Sequence, residues 1–389
     1  MSRKVCAIVG ALMLLTHVFP ALAHAEPYRP AGDDVVLLTL DSSAARPDVL
    51  AATPASLLAA AQAEIALGRS SLDERHFGRA EAMLLQAAPC LSRDRTCPPG
   101  AHGEMLVTYA DVLQHRHDFA GAERLLATVL RADRAHPQAR AMRAMIRLAQ
   151  GHAQTAAQDC ATLIGQVDAV IATACLAQAI SLQGRLREAL GLLEPTLNAR
   201  VGVSEESAWA DTVFAELAER AGLQDAAIAA IETALSGDPN RAAIRIQAAD
   251  LMLRANLPAR AFDILRALPV SEPVLLRRAI AARRLGAPDA EQLAQAWQRA
   301  RAQAERLELP KHERDLALGE LELMERPERA LMYALQNWQS THEIEDARVL
   351  VAAARASGRL AAARPVLEWI DRQRIEDAVL VRLRSGVAL

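Results

Sequence analysis

The sequence predicts an all-α fold, a solenoid of stacked helix hairpins, on three observations. Small residues recur with a period near 34 residues, a second small column stands twelve positions before the first, and glycines punctuate amphipathic stretches at matching intervals.

The first column consists of an Ala early in a helical stretch, with a mostly apolar residue four positions later. Its members are Ala80/Leu84, Ala122/Leu126, Ala156/Cys160, Ala189/Leu193, Ala227/Ile231, Ala261/Leu265 and Ala363/Leu367. From Ala122 the steps are 34, 33, 38 and 34 residues, and after a gap of 69, close to two periods, Ala330 precedes Ala363 by 33. The second column reads Gly68, Ala110, Ala144, Ala177, Ala215 and Ala249. Two antiparallel helices approach closely only where both present small side chains, so paired small columns mark a repeated hairpin whose remaining apolar face its neighbours must cover. Gly151, Gly184, Gly222, Gly286 and Gly358 fall at or near the turns. Strand content near zero is expected. The one strand-like run, Val35 to Leu40, has nothing to pair with.

These residues resemble the tetratricopeptide repeat (TPR), a helix-turn-helix unit of 34 residues with small residues at its eighth, twentieth and twenty-seventh positions and a proline near its end. Residues 222 to 239 fit best: Gly222 opens the turn, Ala227 and Ala234 take small positions, Ile231 and Leu235 large ones, and Pro239 the terminal proline. Leu67-Gly68 with Phe77 and Ala80, and Phe119 with Ala122, supply the leucine-glycine pair and the turn aromatic. The resemblance covers residues 54 to 268 well and 311 to 374 weakly. The first-helix tryptophan and most terminal prolines are missing, and the small column fails at Leu318 and Val351. It implies a right-handed superhelical solenoid of TPR-like hairpins over 54–268, followed by degenerate helical repeats over 269–389.

Arg3 and Lys4 precede an apolar run, Val5 to Phe19, followed by Pro20 and Ala23-His24-Ala25, the pattern of a secretory signal peptide over 1–25 with cleavage near Ala25/Glu26. The run is shorter than the roughly 20 residues of a membrane-spanning helix. Cys6 lies too early in it to bear a lipid. A periplasmic or secreted chain is expected, with an extended leader arm over 26–53.

The formal charge is −3, aromatic residues are 3% of the chain and apolar residues 52%. A core of aliphatic residues at close helix spacing follows, and neither a polyanion-binding surface nor base-stacking platforms are implied. Lysine occurs only at Lys4 and Lys311, so arginine, mixed among Asp and Glu, carries the positive charge. Such faces ordinarily read as solvated.

Four cysteines remain after signal cleavage, in two local pairs. Cys90 and Cys97 bracket an irregular insertion, Ala88 to Gly103; Cys160 and Cys175 lie on helices that a solenoid packs side by side. Bridges 90–97 and 160–175 are one reading in an oxidising compartment, buried thiols a second, and a metal held by Cys90, Cys97 and His76 or His102 a third. The six-residue gap matches neither a zinc knuckle nor a CxxC redox motif. His115 and His117 read as surface residues, and His312-Glu313-Arg314-Asp315 as an exposed helix start after Pro310, since no phosphate loop accompanies it. No nucleophile elbow, Walker loop, dinucleotide fingerprint or HExxH helix occurs. No catalytic residue, cofactor or metal is therefore expected.

The family resemblance implies a concave groove lined by first helices that takes a partner segment. Groove positions counted from the motif are Arg69, Asp111, Gln114, Gln178, Trp209, Thr212, Glu216 and Asp250. Trp209 offers binding area at low entropic cost, and packing against the neighbouring repeat is the other reading of the same residue. The expected partner is a protein or peptide, with a membrane protein one candidate and nucleic acid excluded. Two other readings stay open: self-assembly through the convex face or through Trp297, Trp338 and Trp369, and an accessory role beside a cell-wall enzyme.

Overall fold

The computed structural model describes residues 53–92, 97 and 102–385. The signal peptide and nearly all of the leader arm, including the run Val35 to Leu40, lie outside the described residues.

Nineteen α-helices and no strand occur among them. Successive helices form hairpins: α1 (Pro54–Ser71) with α2 (Arg75–Ala87), α3 (Gly103–His115) with α4 (Phe119–Ala132), α5 (Pro137–Ala149) with α6 (Ala153–Thr162), and α7 (Ala169–Ser181) with α8 (Leu186–Ala199). The series continues with α9 (Glu205–Arg220) and α10 (Gln224–Gly237), α11 (Ala242–Arg254) and α12 (Pro258–Leu265), α13 (Glu272–Leu285) and α14 (Ala290–Arg306), then α15 (Glu313–Glu322) and α16 (Pro327–Asn337). In the last hairpin α17 (Ile344–Ala356) turns back through a 3-10 segment, Leu360–Ala363, into α18 (Arg364–Gln373), and α19 (Ala378–Ser385) closes the order.

Local signals set the helix starts. Thr53 accepts a hydrogen bond from the Ser56 amide at 3.1 Å with Pro54 in the first turn of α1, and Asp118 accepts one from the Gly121 amide at 2.9 Å to cap α4. Both small columns lie at the crossings: Ala80, Ala122, Ala156, Ala189, Ala227, Ala261, Ala330 and Ala363 have no exposed surface, nor do Ala110, Ala144, Ala177, Ala215 and Ala249. At Gly68 a Cβ would stand 2.6 Å from the Phe77 ring. The column that fails at Leu318 is displaced by one residue, because the fully buried ring of Trp297 lies directly over Gly319.

The array does not stay open. Leu72, at the end of α1, packs against the core built around α11 and α13, and one continuous core joins α5 to α7 with α16 to α19. The turns of the third, fourth and fifth hairpins carry that contact. The His342 amide donates to the Ala149 carbonyl at 2.6 Å, and at Gly184 (φ 70°) a Cβ would meet the Arg374 Cβ at 2.8 Å and its carbonyl at 3.0 Å. Only glycine fits there, on both backbone and steric grounds. Farther along, Arg220 donates to the Glu376 carbonyl at 3.4 Å.

Both local disulfides are present, Cys90–Cys97 and Cys160–Cys175, with Cα atoms 5.1 and 5.4 Å apart. The thiol and metal readings of these cysteines therefore fall away; His76 is engaged instead with Glu64 at 2.7 Å. Trp297, Trp338 and Trp369 are buried, the last two with ring centroids 5.2 Å apart, so they are interior packing residues and not contacts for another molecule. No described helix is long and apolar enough to cross a membrane.

Candidate functional site

Curling the array inward leaves a half-open chamber of about 1220 Å³ on its concave side. First helices α1, α3, α5, α7, α9, α11, α13, α15 and α17 all contribute to its lining, together with the C-terminal part of α14 and with α19.

All eight groove positions read from the sequence stand on this lining. Arg69 of α1 reaches the next hairpin, where Nη2 meets the Asp111 carboxylate at 2.6 and 2.7 Å. Gln114 lines the chamber one turn below Asp111, and the side-chain carbonyl of Gln178 has no hydrogen-bond partner. Trp209, Thr212 and Glu216 follow one another along α9 at helical spacing. The Thr212 hydroxyl donates to the Trp209 carbonyl at 2.7 Å, and the half-buried Trp209 side chain lines the chamber while packing against two of the hydrophobic cores. Trp209 is also the one tryptophan of four that is not buried. Asp250 of α11 accepts from Arg277 at 2.9 and 3.1 Å.

Around these positions runs an ion-pair network that the sequence does not reveal. Arg348 of α17 meets Glu219 at 2.6 Å, Glu345 at 2.8 Å and Asp377 at 2.8 Å. Arg254 joins Glu219 at 2.7 Å to Glu345 at 3.0 Å. Arg277 bridges Asp250 and Asp315, the latter at 2.8 and 2.9 Å, and Arg314 holds Glu343 at 2.7 Å and Asp346 at 3.2 Å. Charged groups expected to be solvated are thus turned inward, and the segment from His312 to Asp315 is a wall of the chamber rather than an exposed helix start. The reason is geometric: closing the ring brings α15 and α17 against the ends of α9, α11 and α13, and arginine's planar fork can satisfy two carboxylates from different helices at once.

Each carboxylate responds to what surrounds it. Burial opposes ionisation of Glu219, yet Arg254 and Arg348 outweigh it and hold the pKa at about 2. Glu216 lacks such help. Its nearest cation is Nη1 of Arg220 at 3.7 Å, and Arg220 is committed elsewhere, donating to the Ser181 hydroxyl at 2.7 Å and the Ser181 carbonyl at 3.0 Å. Burial accordingly lifts the Glu216 pKa to about 7; Arg220 offsets part of the rise and Glu345 adds to it. Burial, then Asp315, raises the Glu272 carboxyl as well.

At the rim the first two hairpins meet the start of α15. Glu74, in the turn between α1 and α2, accepts from His115 Nε2 at 2.9 Å and from His312 Nε2 at 3.2 Å, and the His115 ring stacks on Phe77 with centroids 3.5 Å apart. Burial of Glu74 works against its charge, but the two imidazole hydrogen bonds prevail and bring the pKa to about 2. The hydrogen bond to Glu74 raises the His312 pKa, and burial opposes it. His115 is thus a half-buried junction residue rather than a surface histidine. No group of three or more His, Cys, Asp or Glu among the described residues is arranged to hold a metal ion.

No family model matches the chain, and no curated protein matches it. Among solved structures, a tetratricopeptide repeat protein from Parabacteroides merdae is similar over 79% of this chain and 99% of its own, at 14% identity and a TM-score of 0.37. The anaphase-promoting-complex hetero-tetramer Cut9-Hcn1 matches over 88% of this chain and 65% of that one, at 12% identity and TM-score 0.46. A monomeric mutant of IFIT1 with Gppp-AAAA matches over 82% and 72%, at 13% and 0.47. By its own hairpins, its turns and its two buried columns of small residues, the chain has a tetratricopeptide-like fold.

Proposed function

We propose that this chain is a non-catalytic TPR-like scaffold of the cell envelope that holds a segment of a protein partner in its concave chamber. One observation carries the reading: the eight positions expected to face a groove line a single chamber of about 1220 Å³, with the half-buried Trp209 among them. Binding pockets are concave, largely apolar and set with a few polar groups, and this lining mixes aliphatic and aromatic surface with fixed carboxylates in that manner. Two disulfides suit an oxidising compartment, in keeping with the signal peptide expected over residues 1–25.

The test is affinity capture from envelope extracts by disulfide-intact protein, with Trp209→Ala and the outer-surface variant Arg187→Ala in parallel. The reading expects a captured protein that Trp209→Ala loses and Arg187→Ala keeps. Equal capture by all three places the contact elsewhere.

A further inference from the structure

Charge on the chamber wall is unbalanced. Twelve Asp and Glu side chains line it against eight arginines and three histidines, and no lysine does. The arginines at its centre are already committed: Arg254, Arg277, Arg314 and Arg348 each join two or more carboxylates. None is left to receive an anion. On the acidic side, Glu216 accepts no hydrogen bond, and Glu272 has neither a hydrogen bond nor an ion pair among the described residues. A surplus of one sign inside a cavity walled by protein is felt strongly, because the low-dielectric walls focus the field on the solvent within.

The placement of the surplus matters as much as its size. Glu216 sits on α9 seven residues after Trp209, with Thr212 between, so the two positions are separated by about 10 Å along the helix axis. That distance is spanned by about three residues of an extended chain. An extended segment could therefore place an apolar or aromatic side chain on Trp209 and a cation at Glu216 together.

We propose that the chamber selects a partner segment by a basic side chain, arginine or lysine, whose cation pairs with Glu216 while a neighbouring apolar side chain of the segment covers Trp209. This rests on the peptide-binding reading above and adds the chemical class of the peptide to it. Complementarity works in both directions. A basic group can donate a charge-assisted hydrogen bond to a carboxylate that accepts none, whereas an acidic segment meets like charge and finds the central arginines already paired.

The experiment is affinity selection from an equimolar random decapeptide library on immobilised, disulfide-intact protein at pH 8, with retained peptides sequenced by mass spectrometry. Arginine and lysine should be enriched at least about fivefold over aspartate and glutamate, a difference of about 1 kcal/mol in binding. Glu216→Gln, which keeps the side-chain shape and removes the charge, should abolish that enrichment. Enrichment of neutral or acidic peptides overturns the inference and leaves the peptide-binding reading standing. Basic enrichment that persists in Glu216→Gln overturns the assignment to this residue. If no peptide is retained, the underlying reading fails, and the inference with it.

Discussion

Replacing Glu216 by Gln should make the protein more stable at pH 8. The folded chain holds this carboxyl at a pKa of about 7 against an ordinary 4.5, so folding favours its protonated form. A raised carboxyl pKa costs no stability below the unfolded value; the cost grows as pH climbs from 4.5 and is complete above 7. The shift of about 2.5 units at about 1.36 kcal/mol each corresponds to about 3 kcal/mol. That is a ceiling, since 22% of the side chain is open to chamber solvent and the substitution also forfeits attraction to Arg220 at 3.7 Å. A net gain of about 1 to 3 kcal/mol converts, at about 2.1 cal/mol/K per residue, to a rise in Tm of about 1 to 4 °C. The assay is thermal unfolding of wild type and Glu216→Gln, by circular dichroism at 222 nm, at pH 8 and again at pH 4.5. The gap between the two proteins should be largest at pH 8 and close to zero at pH 4.5. A gap independent of pH, or a variant less stable at pH 8, refutes the claim that an ionised Glu216 is uncompensated.

Ala227, without exposed surface between helices, should not tolerate a larger side chain: Ala227→Leu is expected to cost about 1 to 3 kcal/mol in denaturant unfolding, while Leu at the exposed Ala229 changes little. Glu74→Gln should cost up to about 3 kcal/mol near pH 5 to 6, where Glu74 is ionised and His312 protonated. That cost should shrink as pH rises through the raised His312 pKa, and again as pH falls below 4.5 toward 2; melts across pH read both limbs. Reduction of the unfolded chain should add the mass of four hydrogens. Loss of Cys160–Cys175, fifteen residues apart, should cost about 3 kcal/mol, and loss of Cys90–Cys97, seven apart, about 2 kcal/mol.

Hairpins were legible because they are local. Ala122, Ala156 and Ala227 reveal their burial through spacing alone, and once a hairpin is fixed, helical periodicity orients Trp209, Thr212 and Glu216 together. Cys160 and Cys175 fall on consecutive helices, so their pairing was among the readings that adjacency offers. Closure was not legible. His312 meets Glu74 238 residues away, and Arg348 meets Glu219 129 residues away; neither has a local signature. Amphipathic pattern also misled at the charged residues. Arg277 and Arg348 look like solvated helix positions until other helices supply the carboxylates that let them be buried. Gly319 shows the same limit, since its small size answers to Trp297 of the preceding hairpin rather than to the expected column.

The most direct test places a photo-cross-linking benzoylphenylalanine at Gln247, on the chamber wall, and in a second protein at Arg187, exposed on α8. A peptide retained in the library selection is then irradiated with each. A covalent adduct from position 247 and none from 187 is the expected result; an adduct from 187 with none from 247 would show that the chamber is not where the partner binds.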